Sequence, residues 1–93
     1  MTGEHLGLIL KEAHAKSDKS GWESLPEGTL LTLYMAHDGA SLTVNRIVAV
    51  RQDGELLYAR TPKKDTFALS RSDLFAVAIE GANADPTRRA GFG

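Results

Sequence analysis

Residues 29–60 constrain this chain more than any other part of it. They read TLLTLYMA, HDG, ASLTVNRIVAVR, QDG and ELLYAR, three β-like apolar segments with an Asp-Gly pair at each of the two joints. Asp-Gly between apolar runs is a strong short-range hairpin signal, because a tight turn needs positive φ and these residues accept it. Two such turns in succession predict an antiparallel meander.

In the first segment Leu31, Leu33 and Met35 alternate with Leu30, Thr32 and Tyr34, so both faces are largely apolar. That pattern predicts a central strand, or one covered on both sides, over residues 29–36. The second segment, residues 40–51, is too long to stay flat. Leu42, Val44, Arg46, Val48 and Val50 share one face, Thr43, Asn45, Ile47, Ala49 and Arg51 the other, and the apolar residues change sides near Asn45 and Arg46. A bend or bulge there would let one strand serve both walls of a small closed barrel.

Three more strands are expected over 55–61, 66–70 and 74–80. The TPKKD between the first two is a basic hairpin tip whose Pro62 cannot donate to a ladder. Phe67 and Leu69 are expected to point inward, and Arg71, Ser72 and Asp73 to make a tight turn or one turn of 3₁₀ helix.

Ahead of the meander, Leu6, Ile9, Leu10 and Ala13 fall on one helical face while Glu4, Lys11, Glu12 and Lys16 cover the other. This predicts an amphipathic helix over residues 3–17, with Thr2 as N-cap and Gly7 as a local cost of up to about 1 kcal/mol relative to alanine. Ser17, Asp18, Ser20 and Gly21 are turn formers, so the helix should end within 16–19. A helix this short is marginal alone and is expected to pack across an open end or face of the β-structure. In the connector, Trp22 is either a stacking platform or, with Leu25, a plug between helix and sheet. The plug is the expectation, since single tryptophans in small domains mostly anchor a core or its rim.

With 93 residues there is room for one modest core, and the expected organisation is one domain over 1–81 followed by a flexible tail, 82–93. The formal net charge of -1 provides no global attraction to nucleic acid or anionic lipid, so any such attraction must be local. There is no cysteine, which removes disulfides and thiolate metal sites. Without an apolar run of membrane length or a leader-like N-terminus, no membrane association is expected and the cytoplasm is the default location.

One amphipathic helix followed by five strands, the second long and bent, is the order of elements in the Sm-like family, with its bacterial Hfq-type members. LLTLYMAHDGASL resembles the family's first strand, turn and start of the second strand, and SRSDLFAVAIE resembles its closing turn and last strand. The resemblance implies an Sm-like or SH3-like barrel, assembly into rings through the fourth and fifth strands, and RNA as partner. The family's RNA pocket uses an aromatic in the turn after the second strand and a Lys-His pair in the turn before the last. Here those turns carry Gln52, Asp53, Gly54 and Arg71, Ser72, so only the positive charge is retained.

The residues themselves offer one candidate site. Arg46, Arg51, Arg60, Lys63, Lys64 and Arg71 fall in one span with Asp53, Glu55 and Asp65 as the only carboxylates, and Tyr58 lies among them. On a shared face these cations would contact phosphates with Tyr58 as a stacking partner. Otherwise they are solvated strand faces and edge-protecting charges. His5 and His14 are half a helical turn out of phase and cannot clasp one metal, and His37 with Asp38 is explained by turn chemistry. Paired acids, a metal set, a nucleophile with its base and a dinucleotide fingerprint are all missing from the sequence. The expected function is therefore non-catalytic, without cofactor: a barrel that self-associates and presents a basic face to RNA or another anionic partner. The alternatives are a protein-interaction or scaffold module, with the helix as docking element, and a small regulatory domain whose basic hairpin captures a phosphate.

Overall fold

A computed structural model describes residues 1–81. The tail assigned to 82–93 lies outside the described residues. Among the described residues the chain is mainly β, with one N-terminal helix, α1 (Gly3–Glu12), and two antiparallel sheets.

At the start of α1 the Thr2 hydroxyl accepts from the His5 amide at 3.1 Å, which satisfies one of the free N–H groups of the first turn. The helix stops at Glu12, well short of the predicted 17. His14, at φ 62°, donates its amide to the Lys11 carbonyl, and the Ala15 amide donates to Leu10, each at 3.0 Å. These are the paired bonds of a Schellman cap. Its left-handed position usually carries glycine; a histidine there leaves no stop signal in the sequence.

The residues freed from the helix form β1 (Lys16–Ser17), which pairs with β2 (Trp22–Ser24), two strands the sequence pattern does not predict. Asp18 closes their turn. Its Oδ1 accepts from the Ser20 hydroxyl and amide, both at 2.8 Å, and from the Trp22 amide at 3.0 Å. The Ser20 hydroxyl above all holds the Asp18 carboxyl below the usual aspartate range.

The remaining strands are β3 (Thr29–His37), β4 (Ala40–Ile47), β5 (Ala49–Asp53), β6 (Leu56–Arg60), β7 (Thr66–Ser70) and β8 (Leu74–Gly81), with the expected 3₁₀ turn at Arg71–Asp73 joining the last two. The larger sheet runs β1-β2-β5-β6-β7 and the smaller β4-β3-β8. As its two apolar faces predict, β3 is central. Asp38 and Gly39, at φ 48° and 82°, join β3 to β4 in the two-residue form that matches strand twist. At the second joint Asp53 stays in the strand opposite Leu56, and Gly54 and Glu55 make the turn.

The long second segment does break where its apolar residues change face. Leu33 pairs with Val44 and Leu31 with Ile47, so Asn45 and Arg46 stand opposite Thr32 alone, a β-bulge in which Arg46 takes φ 60°. Val48 then lies between the sheets as β4 passes into β5. Its amide donates to the Arg60 carbonyl and its carbonyl accepts from the Leu25 amide, both at 2.9 Å, so the corner keeps its backbone hydrogen bonds. The positions that join the core cluster run Val44, Ile47, Val50, a spacing that a flat strand cannot produce.

Between the sheets lie Leu31, Leu33, Ile47, Val50, Leu57 and Leu74, and α1 adds Leu6, Leu10 and Ala13 to the same cluster. Leu6 and Leu10 are fully buried, each stabilising the fold by about 2 kcal/mol. Most of the apolar face of α1 is thus consumed by the core, but Ile9, expected on that face, stays half-buried outside the cluster, and outward the helix offers Leu8. Leu25 and Leu69 pack against the cluster, but Trp22 does not join it, contrary to expectation; Phe67 is opposite Ala59 on the inner face, as expected, but lies outside the cluster. Phe67 is 43% exposed, because among the described residues β7 is an edge strand.

Candidate functional site

The outer face of the larger sheet is organised by register. Trp22 is opposite Arg51 and Arg51 opposite Tyr58; Ser24 is opposite Ala49 and Ala49 opposite Arg60. Directly opposed residues of antiparallel strands project from the same face. Val50, Leu57 and Ala59 go to the core, so Arg51, Tyr58 and Arg60 are turned outward with Trp22.

These four side chains interleave. The Arg60 guanidinium carbon sits 4.0 Å from the centre of the Trp22 ring, and that of Arg51 sits 5.0 Å from the Tyr58 ring. Arg60 reaches Trp22 across β5 because the residue between them is Ala49, only 4% exposed under this cover. Such pairs contribute about 0.5–1 kcal/mol each when exposed, and more when desolvated. Stacking holds a guanidinium by its face and leaves its N–H edge free to donate to phosphate or carboxylate oxygens. Asp53 offsets part of this charge, its Oδ2 lying 3.6 Å from Arg51 Nη2.

The other candidate residues fall elsewhere. Arg46, on the bulge, and Lys63 line one groove beside the tip of the β6–β7 hairpin, where Lys64 takes φ 70°. Arg71 stands at the other end of β6, where Nη1 donates to the Gly54 carbonyl and lies 3.5 Å from Gln52 Oε1. It holds the β5–β6 turn against the 3₁₀ turn. The seven candidates therefore occupy three places, and only Arg51, Tyr58 and Arg60 share a face. Trp22 joins them through the pairing of β2 with β5, for which the sequence carries no signal, since β2 is three residues long in a polar connector.

His37 ties the β3–β4 turn to the 3₁₀ turn, with Nδ1 3.0 Å from Asp73 and Nε2 3.2 Å from Asp38. Among the described residues no group of three or more His, Asp or Glu is placed to hold a metal ion, and no helix is long and apolar enough to cross a membrane. Comparison with protein-family models, with curated proteins and with solved structures yielded no match.

Proposed function

We infer that this chain is a non-catalytic small β-barrel module of Sm-like or SH3-like type that binds a single-stranded anionic partner, RNA foremost, on the outer face of its larger sheet. The observation that carries the reading is the half-buried ladder of Trp22, Arg51, Tyr58 and Arg60, which alternates cation and aromatic on one outward face. Single-stranded nucleic acid is held by such surfaces through phosphate contacts and base stacking, with little demand on sequence. Each guanidinium here is oriented before the ligand arrives, which lowers the entropic cost of binding.

The barrel reading is supported by strand order. Taken across the corner at Val48, the strands run β8, β3, β4 continuing into β5, β6, β7, with a 3₁₀ turn between the two ends, an order that resembles the Sm-like one with the β1–β2 hairpin added beside β5. In this reading β7 and β8, each at the edge of its sheet, are where copies of the chain associate, and the protein works in the cytoplasm without a cofactor.

Titration of the full chain with a short oligouridine tests the binding. Trp22 is the only tryptophan, so its emission reports on the face itself. The expected result is quenching at low salt and an affinity that falls with log salt at a slope of about -0.7 per phosphate contacted. Emission that ignores RNA at low salt refutes this reading and returns the chain to the protein-interaction class. Light scattering tests the assembly separately, with a species larger than one chain expected and a monomer at all concentrations refuting it.

A further inference from the structure

A second surface lies between the two sheets, away from the ladder. Among the described residues β4 is paired on one side only, by β3, and β7 on one side only, by β6. Between them runs a groove of about 300 Å³, lined by Leu42 and Val44 from one wall and Pro62 and Phe67 from the other. A further hollow of about 260 Å³ continues it past Leu42 along β7. Leu42 is 55% and Phe67 43% exposed, high for side chains of this size that face each other across an opening.

The backbone adds a second property. The two-residue turn makes His37 and Ala40 a hydrogen-bonded pair, so along β4 the groups of Ala40 and Leu42 point to β3 and those of Ser41 and Thr43 point to the free edge. An extended chain laid along that edge would complete the ladder while alternate side chains entered the apolar groove.

The charges select the occupant. Arg46 and Lys63 line the groove and Lys64 follows them in the hairpin tip, against Asp65 there and Asp73 at the far end of the hollow that continues it. A second copy laid β4 against β4 would bring these cations together, the arrangement by which sheets resist pairing with themselves. A partner carrying carboxylates meets the opposite field. We propose that the β4 edge and its groove bind an extended, apolar and acidic peptide segment of another protein by strand addition.

Selection of random peptides displayed on phage against the full chain, with the enriched peptides then made synthetically, tests this. Enriched sequences are expected to alternate apolar residues with Asp or Glu, and a bound peptide to slow amide hydrogen exchange at Ser41 and Thr43. Phe67→Glu, at an exposed position, is expected to weaken that peptide by at least about tenfold, and Leu42→Glu, on the facing wall, to do the same if the first variant does not fold. No enrichment, enrichment of basic peptides, or protection confined to the Trp22 face overturns the proposal. So does concentration-dependent protection of Ser41 and Thr43 in the protein alone, which would give the edge to a second copy.

Discussion

Replacing Arg60 with alanine tests whether the cation–aromatic ladder has the energetic weight its geometry implies. The guanidinium carbon lies 4.0 Å from the Trp22 ring centre, and this stack is worth about 1 kcal/mol in a half-buried setting. The arginine stem also covers Ala49, which is 4% exposed directly opposite it. Losing that cover costs about another 1 kcal/mol, little more than one buried methylene's worth. Arg60→Ala should therefore destabilise the fold by about 2 kcal/mol, a fall of about 10 °C in melting temperature for a domain of this size. Arg60→Lys keeps the charge and most of the stem but loses the planar stack, so about half of that loss is expected. Thermal unfolding followed by Trp22 emission measures both effects, and the folded-state emission maximum of Arg60→Ala should move to longer wavelength as water reaches the ring. A variant within about 0.5 kcal/mol of the parent, the range of ordinary surface substitutions, with an unmoved emission maximum would refute the reasoning.

Gly7→Ala should stabilise the protein by about 0.5–1 kcal/mol, since a Cβ at this helix-interior position meets nothing within 4 Å; chemical denaturation measures it. Gly81→Ala should do the reverse by several kcal/mol, because its Cβ would stand 1.8 Å from the Gly28 carbonyl oxygen at a φ of 130°; loss of amide protection at the Thr29–Gly81 end of the β3–β8 ladder would localise the damage. Asp18 has a folded-state pKa below its unfolded value, so its contribution to stability is present above the unfolded value of about 4 and is lost as pH falls through the folded one. The melting-temperature difference between the parent and Asp18→Ala should accordingly be full at neutral pH and shrink in acid, and a difference that grew with acidity would contradict the assignment.

The β-meander was legible because three physical signals agreed within a few residues: alternation, Asp-Gly turns and strand length. The bend was legible for a related reason, since apolar residues that switch faces at Asn45 and Arg46 cannot all be buried by a flat strand. The helix end was not, because His14 adopts the left-handed conformation without being glycine. The β1–β2 hairpin was hidden for a similar reason: its turn is closed by three hydrogen bonds to one Asp18 oxygen, and its strands are too short to show a period. That loss carried over to the site. Arg51, Tyr58 and Arg60 could be named from the run of cations, but their partner Trp22 reaches them only through the pairing of β2. Arg46, Lys63, Lys64 and Arg71 were grouped with them by charge alone, and charge does not say which end of a strand a side chain occupies.

The extra residue at Asn45–Arg46 has a consequence for which changes of length this chain can absorb. Deleting either residue would shift everything after it by one position relative to β3 and β4. A one-residue slip exchanges the two faces of a strand. In β5 Val50 would turn to solvent and Arg51 toward Leu57 and Leu74, so core and ladder would be lost together. The exposed tip at Lys63 and Lys64 can lengthen or shorten at little cost, whereas the bulge, with Arg46 at φ 60°, accepts glycine or asparagine there but not a change in residue count.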